Sequence, residues 1–294
     1  MRLLTTSEAA EYLRLKERKL YELISEGQVP CTKVTGKWLF PKDELDLWLA
    51  SSLIRPEGMP ATEPMPIVGG SHDPLLEWSL RESGCALATL PEGSEAGLQR
   101  FARGELVATA IHLHDLESQK VDANIIAMRS RARFHDAALL AFARREQGIL
   151  VPLGNSKNLT CMRDIIQTRA RVAQRPAGAG AQLLLESLLH REDAGLDQLN
   201  IVLPASPTGS DLAQAIRAGR ADCGIATRSA ATAAGLDFIP IVWEHFDIVV
   251  RQRDYFRKPI QSFLAFLRRS DFAHRAAEMG GYDVSEAGNV RYAP

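Results

Sequence analysis

Two patterns of hydrophobic spacing divide the chain. Through about residue 50, apolar positions recur at helical intervals between short breaks. Thr5-Thr6-Ser7-Glu8 has the S/T-x-x-E form of a capping box and predicts a helix start, with Ala9, Ala10, Tyr12 and Leu13 as its apolar residues. After a short break at Arg14-Leu15-Lys16, the residues Leu20, Leu23 and Ile24 follow the i, i+3, i+4 spacing of one buried helix face. Gly27 is a C-terminal stop, and Pro30 prevents continuation. Residues 31–40 are strand-like and fold back about Gly36. Pro41 opens a third helix where its missing N–H costs nothing, and Leu45, Trp48 and Leu49 are its expected buried face. Helix, tight turn, helix, β-wing, helix is the pattern of a winged helix-turn-helix over residues 1–50.

Residues 51–65 carry three prolines and a glycine and read as a linker. From residue 66 to 294, short apolar runs alternate with amphipathic stretches. Strands are expected at 67–70, 85–89, 106–113, 123–128, 139–143 and 149–153, then at 170–174, 201–203, 221–226, 238–242 and 246–250. Helices are expected after the Asp73-Pro74 cap, from Glu92 through Phe101, at 159–166, from Leu183 to Leu189, and at 211–218 and 229–234. Two more, at 260–267 and 273–279, close the chain. Two successive βα sets with late returning strands imply an α/β domain of two lobes around a cleft, where ligands sit at the carboxyl ends of strands.

Charge sharpens the first half of this picture. The chain has 35 Lys and Arg against 36 Asp and Glu, a formal net charge of -1. Any nucleic-acid binding therefore depends on a local patch, and positive side chains gather between Arg14 and Lys37. Arg18 points away from the Leu20 face and suits a guanine edge or a phosphate. Lys16, Lys19, Lys33 and Lys37 suit phosphates, with Tyr21 on the flank. The first helix begins almost at the N-terminus, no apolar run is long enough to cross a membrane, and a cytoplasmic protein is expected. Cys31, Cys85, Cys161 and Cys223 lack C-x-x-C spacing and read as reduced thiols rather than zinc ligands.

The chemistry of the second half points to an anion. In the run from Arg175 to Gln182, Gly178, Ala179 and Gly180 let backbone N–H groups approach a guest at a helix start, and Arg175 adds a guanidinium. Ser71 with His72, and Ser94, mark two further helix starts; three such N-termini around one cleft would form a cage of mostly neutral donors. Chain reversal and helix capping are the plain alternatives for these glycines and serines. His112 and His114 share a strand face, but no third metal ligand accompanies them, so a ligand-bonding or structural role is expected for His112. Asp222 and Glu244 are further cleft candidates. Neither a catalytic constellation nor a nucleotide-binding fingerprint is convincing, so no enzyme is expected.

Two resemblances extend these readings. Leu4-Thr-Thr-Ser-Glu-Ala-Ala-Glu-Tyr-Leu13, Leu20-Tyr-Glu-Leu-Ile-Ser-Glu-Gly-Gln-Val-Pro30, Lys37-Trp-Leu-Phe40 and Leu45-Asp-Leu-Trp-Leu49 resemble the excisionase-type, MerR-like DNA-binding domain. Lys19 departs from the Thr usual before the Leu-Tyr pair. Gly70-Ser-His-Asp73, Ile111-His-Leu-His-Asp115, Arg145-Glu-Gln-Gly148, Arg175-Pro-Ala-Gly-Ala-Gly180 and Ala221-Asp-Cys-Gly224 resemble the periplasmic-binding-protein-like domain found behind bacterial helix-turn-helix modules. That resemblance implies the two-lobed type 2 fold used as a ligand sensor, with molybdate, tungstate or a molybdenum-cofactor-related compound as its guest. The combined expectation is a one-component transcriptional regulator. It would act as a homodimer on an inverted-repeat operator in double-stranded DNA, without a resident cofactor. A small organic acid or phosphate compound is the alternative guest. A solute-binding protein or an enzyme is the alternative of another class.

Overall fold

Thr5 caps the first helix in the way its spacing predicts: its hydroxyl accepts from the Glu8 N–H while the Glu8 carboxylate accepts from the Thr5 N–H. The computed structural model describes residues 2–52, 63–113, 122–130 and 132–294, and it divides into two compact units, 1–61 and 62–294. The first unit runs β1 (Leu3–Thr5), α1 (Thr6–Tyr12), α2 (Glu17–Ser25), β2 (Thr32–Val34), β3 (Lys37–Pro41) and α3 (Lys42–Ser51). Positive φ at Thr35 and Gly36 matches the primed turn of a two-residue hairpin between β2 and β3. Leu20, Ala9, Leu4, Phe40 and Leu45 form the core, with Leu23 and Ile24 packed against it.

Three expectations change here. Leu3–Thr5 is a strand pairing antiparallel with β3, a three-residue element too short to show a period. Pro41 ends β3 and flanks α3 as its N-cap residue, while the Lys42 N–H donates to the Arg2 carbonyl. Leu49 is 41% exposed and Trp48 is half-buried, so among the described residues of α3 it is Leu45 that is fully buried in the core. The expected linker at 51–65 falls largely on 53–62, outside the described residues; Ser51 closes α3 and Met65 opens the next strand.

The second unit alternates strands and helices. Its first lobe contains β4 (Met65–Gly70), α4 (Pro74–Glu82), β5 (Ala88–Pro91), α5 (Ser94–Ala102), β6 (Leu106–Ile111) and α6 (Ala123–Arg129). After a turn of 3-10 helix, β7 (Ala137–Val151) leads into α7 (Met162–Thr168), β8 (Arg171–Ala173), α8 (Gly180–Arg191), β9 (Asn200–Val202), α9 (Gly209–Arg217), β10 (Cys223–Thr227) and α10 (Arg228–Ala234). The chain returns through β11 (Asp237–Arg251), α11 (Gln252–Tyr255), α12 (Lys258–Leu267), α13 (Ser270–Met279), β12 (Tyr282–Asp283) and β13 (Val290–Tyr292). The sheet order is β5-β4-β6-β11-β7-β10-β8-β9, with β12 and β13 also on β7.

The two long antiparallel strands β7 and β11 make the lobes. Near one end β11 pairs with β6 (Asp247 opposite Ile111), and near the other β7 pairs with β10 (Gln147 opposite Thr227). Register shifts at Pro240/Val242 and Phe246/Asp247 bend β11 between these ends. Each lobe has apolar clusters on both faces of its sheet. Such strands are buried on both sides, which is why the two ends of β7, residues 137–143 and 149–151, read as apolar runs.

The sequence reading split each long strand in two, because Arg144-Arg145-Glu146-Gln147-Gly148 looks like a turn and Glu244-His245 interrupts the second run. Residues 123–128, expected as a strand, are helix α6: Asp122 caps it by accepting from Asn124 and Ile125 N–H. The last element is not a helix. β12 and β13 follow α13 and lay the C-terminus back along β7.

Candidate functional site

The DNA-facing candidates are all on the surface of the first unit. Lys16 is the N-cap residue of α2, and Arg18, Lys19 and Tyr21 lie along that helix on its exposed side. Arg18 is almost fully exposed, with its guanidinium 3.4 Å from the Glu22 carboxylate, and Lys19 lies 3.1 Å from the same residue. Lys33 and Lys37 flank the hairpin turn of the wing, and the Lys33 ammonium sits 5.1 Å from the centre of the Trp38 ring. The helix and the wing therefore both present cations with solvent-accessible heads. Glu22 is the shared partner of both helix cations.

In the second unit, a cavity of about 30 Å³ lies between the lobes. Ser71, His72, Pro74, His112 and Arg145 line it from one direction; Arg175, Ala179, Ala181, Gly209, Ser210, Thr227 and Ala230 line it from the other, with Gln147 between. The starts of α4, α8, α9 and α10 thus surround it, at the carboxyl ends of their preceding strands. A water needs about 10–15 Å³ on this measure, so the cavity suits a very small guest. A larger cavity of about 480 Å³ lies between β7 and the C-terminal strands, beside Arg144, His245 and Arg291, and contains none of the residues singled out from the sequence.

Buried ion pairs organise the wall. Arg145, 2% exposed, donates through Nη1 to Asp73 (2.8 Å) and through Nε to Glu244 (2.6 Å), and lies 4.1 Å from the centre of the Phe246 ring. Burial disfavours its charge, but the two carboxylates outweigh that and hold its pKa above the ordinary arginine value. Asp73 also caps α4, accepting from Leu75 and Leu76 N–H, and accepts from the Tyr282 hydroxyl at 3.0 Å. Burial and the Asp73 carboxylate keep the Tyr282 phenol protonated, and its oxygen lies 3.0 Å from Ser229 Oγ across the cleft. Arg175 differs: burial first, then the charge of Arg145, pulls its pKa down to about 10. Its Nε has no hydrogen-bond partner among the described residues.

The sequence candidates separate on this geometry. Ser71, His72, His112, Arg175 and Ala179 line the cavity, while Glu244 sits just behind it, 3.9 Å from His112 Nε2. Ser94 is fully buried: it bonds Ser71 Oγ, accepts from the His112 N–H and donates to the His112 carbonyl, which ties α5 to the end of β6. The start of α5 consequently packs against the start of α8 rather than opening into the cavity. Gly178 takes a positive φ beside Glu95, and a Cβ on Gly180 would lie 2.1 Å from the His112 ring. The close approach these glycines permit is between the two lobes. Asp222 precedes β10 at the end away from the cleft; it accepts from Arg171 and lies 3.7 Å from Lys157. His114 and Asp115 lie outside the described residues. Arg145, Gln147, Thr227 and Tyr282 were not anticipated as site residues. The available signal was polar side chains inside an otherwise apolar strand, at Arg145 and Gln147.

Comparison with known proteins agrees with both halves. A helix-turn-helix domain profile matches residues 3–52, and a PBP superfamily domain profile matches residues 77–268. The chain is 24% identical to the uncharacterized protein YvgK of Bacillus subtilis (strain 168), over 97% of this chain and 96% of the relative. Among solved structures, the H2O2-bound C206S mutant of Corynebacterium glutamicum OxyR superposes with a TM-score of 0.51 at 12% identity, over 94% of this chain and 89% of that one. The sulfate-binding protein SubI of Mycobacterium tuberculosis H37Rv gives a TM-score of 0.49 at 14% identity, over 74% and 84%. Among the described residues no helix is long and apolar enough to cross a membrane. With most of its length inside the second profile, the chain belongs to the PBP superfamily and carries a helix-turn-helix domain ahead of its PBP domain.

Proposed function

We propose that this chain is a cytoplasmic transcriptional regulator whose PBP domain clamps a small anion and whose helix-turn-helix domain reads DNA. The observation that carries the ligand reading is Arg175, a mostly buried guanidinium in the cavity wall with an Nε that lacks a partner among the described residues. A buried donor of this kind is costly to leave unmet, and an anionic oxygen meets it. Ser71, His72 and His112 supply hydrogen-bonding contacts, and the starts of α8 and α9 orient their dipoles toward the guest. Molybdate or tungstate is the guest that the sequence resemblance suggests, with phosphate compounds and small organic acids as the other class.

Helix α2 enters the major groove with Arg18 toward the bases and Tyr21 on the flank, while Lys16, Lys19, Lys33 and Lys37 hold phosphates. One such head covers a half-site, so the active form is a homodimer on an inverted repeat. The chain acts by binding, not by turnover. Ligand shifts the operator equilibrium by its difference in affinity for open and closed lobes.

Native mass spectrometry of the full chain purified directly from cells, followed by operator binding with and without the retained guest, tests this. A retained small anion that changes operator affinity is the expected result. A guest that is consumed on incubation, or DNA binding indifferent to it, overturns the reading.

A further inference from the structure

We propose that the guest carries a hydrogen-bond donor of its own: a protonated tetrahedral oxyanion such as hydrogen phosphate, rather than a bare dianion such as sulfate, molybdate or tungstate. The inference rests on the anion-clamp reading above and narrows it. Gln147, 2% exposed, lines the cavity from the crossing segment of β7. Its Nε2 donates to Glu244 Oε1 at 2.9 Å, and its Oε1 has no hydrogen-bond partner among the described residues. The amide cannot be reversed to remove the problem, because its oxygen would then face a carboxylate oxygen. The wall therefore holds a buried acceptor at Gln147 and a buried donor at Arg175.

A guest with both kinds of group satisfies both. An O–H on the guest reaches the Gln147 oxygen, and its charged oxygens take the Arg175 guanidinium. A fully deprotonated dianion turns only lone pairs toward Gln147, leaving that acceptor unmet and repelled. Charge points the same way. Arg145 lies between Asp73 and Glu244, so with Arg175 the wall sets two guanidinium groups against two carboxylates. Such a balance disfavours each added negative charge on the guest, so the singly charged dihydrogen form of phosphate fits this wall better than any dianion. Near neutral pH phosphate retains a proton, whereas sulfate and molybdate retain none.

The test is calorimetric titration of the full chain, near neutral pH and at fixed ionic strength, with inorganic phosphate, sulfate and molybdate in turn. Phosphate is expected to bind more than about tenfold tighter than the other two. In Gln147→Met, which keeps the volume and removes the acceptor, that preference should collapse while sulfate affinity changes little. The comparison in the unaltered chain decides the matter even if the variant folds poorly. Sulfate or molybdate binding as tightly as phosphate overturns the donor inference and leaves the anion clamp standing. No binding of any of the three overturns the oxyanion clamp itself, and this inference with it.

Discussion

Asp73 shows how much one side chain can be asked to do. Its carboxylate caps the start of α4, neutralises half of the Arg145 pairing and receives the Tyr282 hydroxyl, all from a 2% exposed position. Removing one partner of a buried ion pair typically costs about 3–5 kcal/mol, so this cluster holds the cavity wall together. Gly180 meets a different constraint. Its missing side chain lets the start of α8 rest on His112, where even a methyl group would lie 2.1 Å from the ring. Gly180→Ala should destabilise the PBP domain by about 1–3 kcal/mol, the usual cost of overpacking, as read from denaturant unfolding. Phosphate titration of the same variant should show weakened binding, because the lobe faces are forced apart. Unchanged stability and binding would mean that the two faces do not touch in solution.

The two long strands carry a buried titratable group. Beside the Phe246/Asp247 register shift, Asp247 is fully buried on β11, accepting from Asn124 Nδ2 at 2.8 Å and from Arg291 of β13. Burial pushes its carboxyl up to about 7, and Arg291 and Asn124 only partly offset this. The folded value lies above the unfolded one, so the native chain binds the proton more tightly. Asp247 therefore makes stability fall as pH rises from about 4 through about 7, by up to about 1.4 kcal/mol per pH unit. His245, two residues away, works in the opposite sense: burial and then Arg291 lower its pKa, so its contribution rises with pH. Asp247→Asn keeps an oxygen acceptor and removes the titration. The difference in unfolding free energy, variant minus parent, should grow from pH 5 to pH 8, at about 1.4 kcal/mol per unit at most, as read from denaturant unfolding. A flat difference would show that Asp247 is charged throughout.

Joining a DNA reader to a ligand clamp makes both affinities properties of one chain. On the reader, Arg18→Ala should weaken operator binding by about 1–3 kcal/mol while leaving the fold intact, measured by fluorescence anisotropy. Lys33→Ala and Lys37→Ala should instead weaken binding to all sequences alike, each lowering the salt dependence by about 0.9 in log–log slope. Loss of sequence preference with the wing lysines, and not with Arg18, would reverse these assignments. The formal net charge of -1 gives the whole chain no general attraction to DNA, so such local substitutions are expected to be decisive.

Much of the architecture was written in short stretches. The Thr5–Glu8 capping box, the Asp73-Pro74 helix start, the Gly36 turn and the alternation of apolar runs each specify their element through neighbours a few residues away. Ser71 and Arg175 at the border of the cleft followed from helix starts placed after strands, and His112 from its place on a strand. The assignments that failed depend on distant partners. Whether Arg145 and Gln147 mark a turn or the middle of β7 is decided by pairing with β11 and β10, and by Asp73 and Glu244, 72 and 99 residues away from Arg145. Ser94 looked like a ligand group until β6 occupied its hydroxyl, and Tyr282 joined the cleft only when the C-terminal strand returned to β7. Local propensity settles which elements form, because it acts within a turn or two of chain. Which polar side chains face a guest and which are consumed in holding the lobes together depends on strand register and burial, and those exist only once the whole sheet has closed.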